Sequence, residues 1–144
     1  MMKFQKIKLA IESSLFNTEM IRLKTPPSLS EIQKHSKSLA FPLIHEHVEL
    51  LQEWGGSRLD EIRINSLDRV ECDGQYITFA NDYNGYIFKY DHLGNVYAED
   101  TDGGNIIRLA DSIVDFIDNV FLGEKCVDFY GVEWLEDLKK HNLV

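Results

Sequence analysis

Between Asp73 and Leu109 the chain repeats one pattern: a short run of β-forming residues, then a turn. The runs are Tyr76-Ile77-Thr78-Phe79, Tyr86-Ile87-Phe88-Lys89-Tyr90, Val96-Tyr97-Ala98 and Ile106-Ile107-Arg108-Leu109. The turns are Asp73-Gly74, Asn84-Gly85, Gly94-Asn95 and Gly103-Gly104. Parallel neighbours need a crossover of about a dozen residues or more. Connections this short therefore dictate an antiparallel meander. Ile62 and Ile64, alternating about Arg63, predict a further strand upstream. Leu67 to Cys72 reads as either an extended piece or a turn.

Everything before Gly55-Gly56 has a different period. In Phe41–Gly56, Leu43, Ile44, His47, Val48, Leu51 and Trp54 fall at helical spacing and form one apolar stripe. Pro42 suits the first turn of that helix, where no N–H is needed. Gly55 and Gly56 are expected to stop it, because glycine takes the left-handed cap without a Cβ clash. Trp54, Gly55 and Gly56 are thus read as structural residues, with the indole against the sheet. Ser28 and Glu31 have the spacing of a capping box, which opens a short helix towards Leu39. Residues 1–24 fit two periods. Phe4, Ile7, Ile11 and Leu15 match a helix face, while Ile7, Leu9 and Ile11 also match a strand.

Downstream of the strands, Ser112 with Asp115 three residues on predicts an N-cap. Ile113, Val114, Phe116, Ile117, Val120 and Phe121 form the apolar face of the helix that follows, ending at Gly123. Val132, Leu135 and Leu138 give the tail a helical stripe. The fold class expected from these elements is α+β, with helices packed against a twisted antiparallel meander sheet. No linker, repeat or low-complexity segment divides the 144 residues, so residues 1–144 are read as one domain.

Charge narrows the function. The chain carries 15 Lys/Arg against 24 Asp/Glu, a net of −9. Residues 1–40 hold seven of the basic and three of the acidic residues. The acidic excess therefore lies wholly in the body that follows. Such a body disfavours direct nucleic-acid binding, which depends on Lys and Arg at phosphates, and suits a basic partner. There is no apolar run long enough for a membrane span, and no apolar core typical of a secretory leader. Cys72 and Cys126 are read as reduced thiols, and the protein as cytoplasmic.

Catalytic and metal patterns fail on spacing. His45-Glu46-His47 sets its imidazoles two residues apart, on different helix faces. His45 and Glu49 have a metal-ligand spacing but no third ligand, and His47 is expected along the core stripe with its ring nitrogen satisfied locally. Asp100-Thr101-Asp102-Gly103-Gly104-Asn105 resembles a calcium loop, but glycine stands at the fifth position, where an oxygen ligand belongs. No nucleophile elbow, phosphate loop or dinucleotide fingerprint is present. The chain is read as a non-enzyme without metal or cofactor. The aromatic residues along the strands are read as core, since only Lys89 interleaves them.

Taken in order, four pieces resemble the SUKH superfamily, the SMI/KNR-like immunity and regulatory proteins, most strongly over residues 28–121. They are the capped helix SLSEIQKHSKSLAFP, the helix VELLQEWGG, the strand pair ITFANDYNGYIFKYD with GNVYAED, and the closing helix LADSIVDFIDNVF. Trp54 stands before Gly55-Gly56 where the family more typically has Asn. The resemblance implies a non-enzymatic immunity protein that binds and neutralises a cognate bacterial toxin domain, often a nuclease. The alternative it implies is a regulatory or scaffold module with another partner. Because nuclease sites are basic, the acids beside the strand turns are the expected contacts: Asp82, Asp91, Glu99, Asp100 and Asp102.

Overall fold

The structure is a computed structural model that describes residues 3–144. Met1 and Met2, the first residues of the segment read as either helix or strand, lie outside it. Seven strands form one sheet in sequence order: β1 Ile21–Arg22, β2 Arg58–Leu59, β3 Ile62–Ile64, β4 Ile77–Asp82, β5 Tyr86–Tyr90, β6 Val96–Asp100 and β7 Ile106–Ala110. Every neighbouring pair is antiparallel. The α+β class and the meander follow the sequence reading. The two-residue strands β1 and β2 do not, because they are too short to show a period. Leu67–Arg69 resolves as a 3-10 turn.

The helices are α1 Gln5–Glu12, α2 Leu29–Ser36, α3 His45–Trp54, α4 Ile113–Asp115 and α5 Val127–Lys140. The segment read two ways, residues 1–24, contains both answers: helix α1, with Ile7 and Ala10 buried and Leu9 exposed, and then β1. The capping box forms as read. The Ser28 hydroxyl accepts from the Glu31 N–H, and the Glu31 carboxylate accepts from the Ser28 N–H.

Helix α3 starts later than its proline suggested. Ile44 is the N-cap, so Pro42 lies in the approach rather than the first turn. The buried stripe is His47, Leu50, Leu51 and Trp54, which adds Leu50 and leaves Val48 half-buried. The two glycines that end α3 are there for different reasons. Gly56 has φ +84°, the left-handed region. Gly55 has φ −55°, but a Cβ there would stand 2.8 Å from the Leu51 carbonyl oxygen. Gly55 is therefore required by close packing and Gly56 by backbone conformation.

Ser112 caps α4 through the Asp115 N–H. After one turn α4 widens into a π-helical stretch, Phe116–Phe121, which keeps Phe116, Ile117, Val120 and Phe121 inward. In the sheet Ile62, Ile64, Ile77, Phe79, Phe88, Tyr90, Val96 and Ala98 are buried, while alternate residues such as Arg63 and Thr78 are not. A register irregularity between Thr78 and Ala80 breaks the alternation, so Phe79 and Ala80 are both buried. Phe116 lies against Phe88 and Phe79, with ring centroids 4.7 and 5.9 Å away.

Trp54 is 6% exposed and meets the edge of Phe4 in α1's approach, ring centroids 6.2 Å apart. Trp54→Ala is expected to lower the unfolding free energy by about 3 kcal/mol, the lower end for a buried tryptophan, since the indole N–H has no partner to strand among the described residues. Chemical denaturation measures this. An unchanged midpoint would show that the side chain is dispensable to the core.

Candidate functional site

A meander returns every second turn to the same end of its sheet. Here the β2–β3, β4–β5 and β6–β7 turns share one end. The Tyr83 N–H donates to the Glu61 carbonyl at 3.1 Å, and the Thr101 N–H donates to the Gly85 carbonyl at 2.9 Å. These three turns carry Asp60 and Glu61, Asp82, and Asp100 and Asp102 respectively. The end is acidic because of topology as well as composition.

Helix α5 completes the site. Gly131, at φ +82°, kinks α5 and turns Trp134 and Leu138 inward. This corrects the stripe read through Val132, which is 59% exposed. Trp134 stacks on Phe121 and Phe16, at centroid distances of 5.7 and 6.4 Å. Its Nε1–H donates to the Phe121 carbonyl at 2.7 Å. So anchored, α5 faces the β2–β3 and β4–β5 turns across a cleft of about 340 Å³. Asp60, Glu61 and Asn84 line one side, and Glu133 and Asp137 line the other. Phe129, Tyr130 and Trp134 supply aromatic wall.

The carboxylates in the cleft are not equivalent. Asp60 is buried at φ +61°, and its Oδ2 accepts from the Asn17 N–H at 2.8 Å. Burial pushes the Glu61 carboxyl above its ordinary range, and the neighbouring Asp60 and Asp82 add to the shift against the opposing Arg58. Glu133 and Asp137 are exposed. Arg58, the cation that opposes the Glu61 shift, is already engaged: its guanidinium lies 3.8 Å from the Tyr83 ring centroid, and its Nε donates to the Asp60 carbonyl. The site thus presents acid that its own turns do not neutralise, next to aromatic faces. That chemistry suits Lys or Arg side chains.

Of the five acids expected from sequence, Asp82, Asp100 and Asp102 lie at this end, Asp91 at the opposite end and Glu99 within β6. Asp82 belongs to the site but is buried rather than held at the surface. Its carboxylate accepts from the Asn84 and Tyr86 N–H groups and from the Tyr130 hydroxyl, so its role is to brace the turn and α5. Burial, with Asp82 beside it, holds the Tyr130 phenol neutral. Asp100 is half-buried and accepts from the Asp102 N–H, while Asp102 is exposed. Glu99 projects from the sheet and is paired with Lys89 at 2.8 Å. Asp91 is at the opposite end. It accepts from the Leu93 and Asn95 N–H groups, the Asn95 amide and the Tyr97 hydroxyl. Burial alone would raise its carboxyl, but these donors outweigh it and hold the group low. A residue whose lone pairs are so occupied is a turn brace.

Sequence reading missed Asp60, Glu61, Glu133 and Asp137 together with the aromatic wall. Glu133 and Asp137, four apart on a helix, and Tyr130 with Trp134 were the visible signal. What the sequence lacked was the fact that α5 docks beside alternate turns.

No family model, curated protein or solved structure matches this chain. Among the described residues, no group of three or more His, Cys, Asp or Glu is placed to hold a metal ion, and no helix is long and apolar enough to cross a membrane. His45 and Glu49 pair with each other at 2.7 Å, and Lys3 also approaches Glu49.

Proposed function

We propose that this is a cytoplasmic, non-enzymatic immunity protein of the SUKH kind, which neutralises a basic toxin domain, a nuclease, by binding it at the acidic end of the sheet. The observation that supports this reading is an aromatic-walled cleft lined by Asp60 and Glu61 of the β2–β3 turn and by Glu133 and Asp137 of α5, at the end of the sheet where Asp100 and Asp102 also lie. A nuclease holds phosphates with Lys and Arg, and an acidic surface steers to those groups and covers them. The turns are pinned to one another by backbone hydrogen bonds, so the charges are preorganised. The SUKH resemblance supplies the toxin. The cleft by itself asks only for a basic protein, which a regulatory or scaffold module would also bind.

Co-expression with the product of the neighbouring gene tests the reading. Protection of the cells, and a complex on gel filtration, are expected. Failure of both leaves the scaffold reading in its place. For the complex, Glu133→Lys with Asp137→Lys is expected to slow association about tenfold at low salt, and added salt should remove most of the difference. Charge reversal at Asp100 and Asp102 should act in the same direction. An association rate indifferent to salt and to these substitutions would place the contact elsewhere.

A further inference from the structure

The two edges of the sheet are built differently. β1 is two residues long, a length that blunts an edge. β7 is five residues long and is last in the strand order, so among the described residues no strand lies on its outer side. Ile106 is 43% and Ile107 47% exposed. Ile107 stands opposite Ala98 and Ile106 opposite Glu99, so the two isoleucines project from opposite faces of the same free edge. A register irregularity between Val96 and Tyr97 falls at the Leu109 end of β7 and leaves Ile106–Arg108 regularly paired with β6. Its charged residue, Arg108, is held by Asp111 and Asn95. A row of free backbone donors and acceptors, with β-branched side chains on both faces, is a template for another strand.

We propose that β7 accepts an extended segment of a basic partner as an eighth strand. Charge selects this occupant over a second copy of the chain. Asp100 and Asp102 lie just before β7, and Asp111 and Asp115 lie just after it. Antiparallel pairing of β7 with itself would bring the acids after one strand towards the acids before the other, between chains of net charge −9. A strand of β-formers flanked by Lys or Arg meets the same carboxylates as attraction. Main-chain hydrogen bonds give such a segment its affinity, and Ile106 and Ile107 favour alternating β-branched side chains. The inference goes beyond the proposed function, since it concerns the sheet edge rather than the cleft and holds for any partner that carries such a segment.

The probe is a synthetic peptide of alternating Thr and Val with two lysines at each end. On binding, amide exchange across Ile106–Ala110 is expected to slow about tenfold or more, with the other strands little changed. The same peptide N-methylated at alternate residues should not protect β7, a control that leaves the protein untouched. Ile106→Lys with Ile107→Lys should weaken binding about tenfold in a chain that keeps its circular dichroism. Absence of protection would overturn the proposal. So would equal protection by a glutamate-flanked peptide, or protection of β7 that grows with the concentration of the chain alone.

Discussion

Trp134→Ala is expected to lower the unfolding free energy by about 5 kcal/mol, a large share of the 5–15 kcal/mol typical of a domain. Two losses combine. The indole is 9% exposed and forms a stack with Phe121 and Phe16, which ties α5 to the π-helical stretch and to the segment after α1. Its removal empties the space between three elements. The substitution also strands the Phe121 carbonyl, which accepts the indole N–H in a buried setting. Trp134→Phe separates the two contributions: it keeps an aromatic ring in the stack, loses the donor, and should cost about 2 kcal/mol. Urea unfolding followed by circular dichroism measures both. Because α5 forms one wall of the cleft, the proposed function adds that the alanine variant should also lose affinity for a basic partner. A wild-type midpoint for Trp134→Ala would mean that α5 docks without its indole.

The second large effect is on pH dependence. The chain should lose roughly 4 kcal/mol of stability between pH 6.5 and pH 3 through His47 alone. His47 is fully buried on α3. Its Nδ1 lies 2.8 Å from the Tyr90 hydroxyl, and its Nε2 has no partner among the described residues. One ring nitrogen is thus satisfied, as expected, by a hydroxyl from β5. Burial, with His35 contributing, holds the imidazole down to a pKa of about 3, against an ordinary 6.5. Burial also pushes the Tyr90 phenol up, so the hydroxyl stays a neutral partner.

The sign follows from proton counts. The unfolded chain protonates His47 below about pH 6.5 and the folded chain does not, so unfolding takes up a proton and stability falls by about 1 kcal/mol per pH unit. Above pH 6.5 both states are neutral and the slope vanishes. Glu46, Glu61 and Asp118, raised chiefly by burial, act in the opposite sense, because they bind protons more readily when folded. The measurement is therefore a difference: the slope of stability with pH for the wild type minus that for His47→Gln. Equal slopes between pH 6.5 and 4.5 would show that His47 is hydrated or charged in the folded state.

Much of the secondary structure was legible because it is encoded locally. The capping box at Ser28 and Glu31 and the N-cap at Ser112 formed as read, since each satisfies backbone groups within a few residues. The central turns were legible because Gly and Asn mark them and the strands between them keep a period of two. Legibility failed where an element was too short to show a period, as in β1 and β2. It failed again where one glycine redirects a helix, as Gly131 does for Trp134. For the acids, sequence reading named five beside turns, but Asp could stand at a turn to brace it or to face a partner. Asp82 and Asp91 brace, and only hydrogen-bond geometry tells the difference.

By itself, the amino-acid sequence determined the α+β class, the antiparallel meander and the acidic character of the body, because turn chemistry, period and charge are properties of neighbouring residues. Tertiary structure alone decided which acids stand together. Asp60, Glu61, Asp100 and Asp102 share an end because alternate turns of a meander return to the same side, and Asp91 is excluded for the same reason. Glu133 and Asp137 join them because Trp134 anchors α5 there through a stack of rings from three distant segments. Proximity of this kind depends on packing between residues far apart in the chain, and no local pattern contains it.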